Sequence, residues 1–279
     1  MANLGHNLTD KNNDTKFNHN KINSHPIPNY LKVNNNDVHN NHTHLTKNHL
    51  NNNPAKTDLK IFHQSIRGIS HKTEKILISL AHNFPHVLCL MEHHLWTEEI
   101  TNHNIPWEPT FADTPIYVSN GIQYNSINFN QYNREKDLET CALKIRVQTN
   151  SFIVLCIYRS PSGNFTYFLN QLESILNKLY KVSTNLILCG DFNINHLDLN
   201  SRRYLLESLL ASFSLFSTVK FPTRTFSKSC TLIDNTYTDI NQFNYTVHPL
   251  INGLSDHDAH AFNISNIFCS VPKHLFFIY

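Results

Sequence analysis

Two regimes of patterning divide the 279-residue chain. Over residues 1–57 apolar positions are scattered without period, whereas from Leu59 onward they fall into short regular runs. The run at 59–62 and the unbroken apolar run at 87–91 predict strands, the second buried on both faces. Residues 142–147 and 153–158 predict a strand pair, with Gln148-Thr149-Asn150-Ser151 as the turn. Phe165, Phe168, Leu169, Leu172, Ile175, Leu176, Leu179 and Tyr180 recur at helical spacing, so 165–181 reads as an amphipathic helix. A short helix is expected at 73–80, and Tyr204, Leu205, Leu209, Leu210 and Phe213 mark another. Further strands fall at 185–189 and near 216–219, 233–239, 245–249 and 260–266. Strand pairs interleaved with helices define the α/β class.

Composition separates the first regime further. Seventeen Asn and seven of the nineteen His lie within the first 53 residues, and such a stretch buries too little apolar surface to offset its chain entropy. We read 1–57 as a disordered tail, 58–267 as one folded domain and 268–279 as an apolar C-terminal tail. His39, His42, His44 and His49 offer a weak Zn or Ni site, but no Cys or carboxylate framework closes it, and a biased tract is the plainer reading. A formal charge of +2 with only 16% charged residues does not announce a nucleic-acid binder. Six Cys lack any C-x-x-C spacing, and Cys89, Cys156 and Cys189 sit inside apolar runs, where a thiol behaves as a small hydrophobe. Neither a signal-peptide core nor a membrane-length apolar run occurs, so the expectation is a monomeric intracellular protein, nuclear or cytoplasmic, neither secreted nor membrane-bound.

Two motifs carry chemistry. Leu186-Ile187-Leu188-Cys189-Gly190-Asp191-Phe192-Asn193 ends an apolar strand in Asp and Asn two residues apart, which an extended backbone would aim to one face. Leu254-Ser255-Asp256-His257-Asp258 sets a carboxylate beside an imidazole. Hard divalent cations take carboxylate oxygens, and a water attacking a phosphodiester needs a base.

This pair resembles the GD(F)N and SDH motifs of the endonuclease/exonuclease/phosphatase superfamily. Leu88-Cys89-Leu90-Met91-Glu92 resembles its metal-binding Glu strand, Cys156-Ile157-Tyr158-Arg159-Ser160-Pro161 its YRxP strand end, and Ile233-Asp234-Asn235 the Asp that pairs with the catalytic His. With Phe221-Pro222-Thr223-Arg224, the ordered set spans about residues 58–266 and most resembles endonuclease domains of non-LTR retrotransposons. The resemblance implies a DNase-like four-layer α/β sandwich of two mixed β-sheets flanked by helices, acting on DNA with Mg2+ or Mn2+. It implies metal ligation by Glu92 and Asp256, and catalysis by Asp191, His257, Asp234, Tyr158 and Asn193. Arg159, Thr223 and Arg224 are expected at the substrate.

Departures from the family pattern point the other way. Ser65 stands where the family has Asn, and its shorter side chain is expected not to bridge to Glu92. The Gly-Gly strand start is replaced by a proline-bearing stretch within 101–121. No reverse transcriptase motif follows. Three readings therefore stand at the level of sequence: a DNA-nicking endonuclease, a phosphatase or phosphodiesterase on a small or lipid substrate, and a catalytically impaired remnant.

Overall fold

The computed structural model describes residues 56–81, 83–92, 107–109, 114–182 and 184–270. The expected N-terminal tail up to residue 55, the His cluster within it, His93 and His94, much of the 101–113 stretch and residues 271–279 lie outside the described residues.

Strands β1 (Lys56–Ser65), β2 (Val87–Met91), β3 (Trp107–Pro109), β4 (Ile116–Ser119), β13 (Tyr245–Leu250) and β14 (Ala259–Ser270) build one six-stranded sheet, in the order β13-β14-β1-β2-β4-β3. A second six-stranded sheet is made of β5 (Gln123–Ile127), β6 (Glu139–Val147), β7 (Asn150–Tyr158), β8 (Asn185–Asp191), β9 (Phe216–Ser217) and β12 (Asp234–Thr238), in the order β5-β6-β7-β8-β12-β9. Both sheets are mixed, because β1–β2 and β7–β8 pair in parallel while their other pairings are antiparallel. A separate hairpin, β10 (Arg224–Phe226) with β11 (Ser229–Thr231), carries Arg224.

Strand alternation sorts the side chains into layers. Cys89 and Met91 of β2 meet Val154 and Cys156 of β7 and Ile187 and Cys189 of β8 between the sheets. The alternate residues Leu88 and Leu90 face α1 (Thr73–Leu80) through Ile76, Leu77 and Leu80. Leu155, Ile157, Leu186 and Leu188 face α2 (Phe165–Leu179) and α3 (Ser201–Ser212). The result is the four-layer sandwich expected from the sequence.

Helix α2 follows from its sequence. Phe168, Leu172, Ile175, Leu176 and Leu179 are its buried stripe, each contributing roughly 1.5–3 kcal/mol of apolar burial. The Asn164 side chain accepts the Tyr167 N–H at 2.9 Å and caps its start. Strand pairing continues past residues 58 and 267. Lys56 pairs with Ser270 and Thr57 with Cys269, so the edges of β1 and β14 complete each other. No helix among the described residues is long and apolar enough to cross a membrane.

Candidate active site

The chemistry-bearing residues gather where several strands end together. Register sets this directly. Asp191, the last residue of β8, is the pairing partner of Tyr158 on β7 and of Asp234 on β12. On the other sheet Ser65 pairs with Met91, so Glu92 emerges just past the end of β2. Arg224 and His257 form an isolated bridge that brings the loop before β14 to the same end.

Gly190 makes the β7–β8 approach possible. A Cβ there would lie 1.9 Å from the Ile157 carbonyl oxygen, a backbone atom that cannot swing aside. Beyond it the strand stops, and Asn193 adopts a left-handed φ of +49°. Arg67 and Glu92 share that conformation, at +48° and +52°, so three residues around the site hold a backbone that L side chains rarely adopt.

His257 is the centre of the acid–base geometry. Its Nδ1 lies 2.8 Å from Asp234 Oδ2 and 3.9 Å from Asp191 Oδ2, with all three side chains 1–2% exposed. Burial opposes the imidazolium, but the Asp234 hydrogen bond and the charges of Asp234, Asp191 and Asp256 outweigh it and raise the His257 pKa. Asp191 moves up as well, well above the usual carboxylate range. Burial and the Asp234 charge drive it, against His257 and the N–H that Asn193 donates to Oδ1 at 2.9 Å. Ser255 accepts the His257 N–H at 3.0 Å and itself donates to the Ser65 carbonyl, so the loop is tied to β1.

Glu92 receives two hydroxyls: Tyr158 donates to Oε1 and Ser65 to Oε2, both at 3.0 Å. Burial, together with the Glu92 charge and hydrogen bond, pushes the Tyr158 phenol far up, so it stays protonated and donates. The Ser65 bond corrects the sequence expectation. Proximity replaces length: β1 and β2 are adjacent parallel strands, and a serine hydroxyl suffices to reach the carboxylate.

Other expected roles change for physical reasons. Arg159 is fully buried and cannot meet a substrate. Its guanidinium donates to the carbonyls of Phe192 at 2.8 Å and Asn193 at 3.0 Å, holding the turn after Asp191. Thr223 is also fully buried, and its hydroxyl accepts the N–H groups of Ile233 and Asp234. Asn193 does not continue the strand face of Asp191. Its amide turns back and donates to the Arg159 carbonyl at 2.8 Å. Asp256, expected as a metal ligand, is occupied by two arginines: Arg224 Nε at 2.8 Å and Arg67 Nη1 at 3.1 Å. Burial raises its pKa, but Arg224, His257 and Arg67 outweigh this and hold it low. Arg224 remains half-buried at the rim. Arg67, which also stands 3.8 Å from Glu92, has no assigned role in the sequence reading. Its only signal there is a cation two residues past Ser65 at a strand end.

For a cation the donors that come together are Glu92, Asp191 and His257, whose ligand atoms all lie within 4.8 Å of one another. The two carboxylates suit a hard divalent ion, and Asp191 is held in place by backbone rather than by a competing cation. The fit with Mg2+ or Mn2+ is therefore met by Glu92 and Asp191, with Asp256 outside the group.

Comparison with known proteins bears on the fold. Residues 152–261 match the family model described as endonuclease-reverse transcriptase. The endonuclease domain of TRAS1, a telomere-specific non-LTR retrotransposon, is similar in structure, with a TM-score of 0.60, 16% identity, and coverage of 75% of this chain and 99% of that one. A 3′-5′ exonuclease from Neisseria meningitidis has a TM-score of 0.55 at 15% identity, covering 74% of this chain and 99% of its own. An AP endonuclease from Archaeoglobus fulgidus has a TM-score of 0.55 at 14% identity over 74% and 99% of the two chains. No curated protein matches the sequence.

Proposed function

We propose, for a chain whose residues 152–261 match the endonuclease-reverse transcriptase family model and whose fold is similar to that of a retrotransposon endonuclease domain, that it hydrolyses phosphodiester bonds of DNA and nicks one strand in the presence of Mg2+ or Mn2+. The observation that carries this reading is the convergence of Glu92, Asp191 and the Asp234–His257 pair at one end of both sheets.

Glu92 and Asp191 would hold the divalent ion, which when bound polarises a phosphoryl oxygen and eases charge development there. The chain's own groups supply the rest. Asp234 fixes the His257 tautomer by accepting from Nδ1, which leaves Nε2 to hold or move a proton at the phosphate. Asp191, 3.9 Å from His257 Nδ1, would orient the attacking water beside the ion. Tyr158 and Ser65 orient Glu92. Arg224 and Arg67, each partly exposed, offer guanidinium groups beside the site for the DNA backbone. Ser65, the departure that favours an impaired remnant, donates to Glu92 Oε2 at 3.0 Å, which supports an oriented ligand at this position.

The test is nicking of supercoiled plasmid by the full chain with Mg2+ or with EDTA. Asp191→Ala and His257→Ala should each lose nicking by several orders of magnitude while keeping a cooperative melt. Parent-level nicking by both variants refutes the assignment.

A further inference from the structure

A second convergence of ligating side chains lies between the sheets. Cys89 comes from β2 of one sheet, and Cys156 and Cys189 come from the parallel neighbours β7 and β8 of the other, where they are register partners. All three are fully buried, and their sulfurs lie within 4.8 Å of one another, with Cys156 and Cys189 only 3.5 Å apart. We propose that Cys89, Cys156 and Cys189 form a buried three-sulfur site for one soft monovalent metal ion, Cu(I).

The spacing, the ligand type and the surroundings each narrow the choice. With a metal–sulfur bond of about 2.3 Å, three sulfurs around one ion sit about 4 Å apart, close to what the three strands already provide. Thiolate sulfur selects soft ions over Mg2+, Ca2+ or Mn2+. Structural zinc closes on four ligands, and the group here has three. Cys141, the pairing partner of Cys156 on β6, is nearby but lies outside that group. The site sits in the apolar inter-sheet core, where uncompensated charge is costly. One thiolate neutralises a monovalent ion, whereas a divalent ion requires two. Loading therefore releases one thiol proton to solvent and transfers no electron, and the two other sulfurs donate lone pairs. The bound ion would tie β2 of one sheet to β7 and β8 of the other.

The experiment uses the reduced full-length chain under anaerobic conditions, with Cu(I) supplied from a chelator that reports what it loses. The expected result is one Cu(I) retained per chain, with X-ray absorption counting three sulfur neighbours. Cys89→Ala and Cys156→Ala, checked for folding by circular dichroism, should each weaken retention at least tenfold. Cys230→Ser, at the exposed cysteine, should leave it unchanged. The proposal is overturned if the folded parent yields all its Cu(I) to the chelator. It is equally overturned if the neighbours are nitrogen, as ligation by the His-rich segment would give, or if the alanine variants bind like the parent. Should both alanine variants fail to fold, the sulfur count on the parent decides.

Discussion

Replacing Arg159 by Met separates two readings of one residue. In sequence it stands at a strand end beside Tyr158, where a phosphate contact is the natural expectation. In the structure its guanidinium is fully buried and donates to Phe192 O at 2.8 Å, Asn193 O at 3.0 Å and Gly163 O at 3.4 Å. Met keeps the volume but leaves these carbonyls without their donor in a dry setting. Hydrogen bonds to a charged group are worth roughly 1.5–3 kcal/mol each, offset by no longer burying the charge, so a net loss of about 3–4 kcal/mol follows. For a domain of this size that lowers the melting midpoint by roughly 10 °C. Thermal unfolding of Arg159→Met beside the parent measures it directly, and DNA binding by fluorescence anisotropy over a salt series supplies the contrast. A phosphate contact predicts the reverse pattern: an unchanged midpoint with weaker binding and a shallower salt slope. A midpoint shift below about 2 °C would refute the structural role, since even one lost charged hydrogen bond exceeds that.

Three further outcomes are expected. Ser65→Ala should slow nicking about ten- to hundredfold by freeing Glu92 Oε2, while Ser65→Asn should bring no gain, because the bond already exists; a faster Asn variant contradicts this. Gly190→Ala should cost at least about 1–3 kcal/mol in urea unfolding, because its Cβ meets a strand carbonyl; parent-like stability would show that β7 and β8 can part freely. Asp234→Asn should lower the His257 pKa, read by NMR titration, since burial then acts with less opposition. In the parent a raised folded pKa means that this pair stabilises fully below the unfolded value of about 6.5 and that its contribution fades as pH rises through the folded value, so the stability gap between parent and Asp234→Asn should narrow at alkaline pH.

The sequence exposed those parts of the fold whose signal is local. The stripe of α2 and the apolar runs of β2, β7 and β8 are set by periodicity within a few residues, and α1 and the β6–β7 pair lie where that pattern puts them. Glu92 and Asp191 stand at the ends of such runs, and Asp234 and His257 joined them as an ordered set through the resemblance of the motifs. What stayed hidden depends on partners far along the chain. Nothing near Thr223 reveals that the N–H groups of Ile233 and Asp234 converge on its hydroxyl, and nothing near Asp256 reveals that Arg67, 189 positions away, faces it. The Ser65 expectation fails because the separation between β1 and β2, which no local pattern shows, sets the reach to Glu92. The strand alternation inferred for Asn193 failed because the strand ends two residues earlier.

The pairing of β1 with β14 has a consequence for how such a unit is joined to other sequence. Lys56 and Ser270 are register partners, so the backbone enters and leaves the domain roughly 5 Å apart. A polypeptide interrupted by this domain needs almost no slack to resume its path, which makes it a cassette that can be spliced into a host loop. The same geometry permits circular permutation: a short linker from Ser270 to Lys56 allows new termini to be opened elsewhere on the surface. It also delays completion during synthesis, because the place in the first sheet between β1 and the edge strand β13 is filled only when β14 emerges.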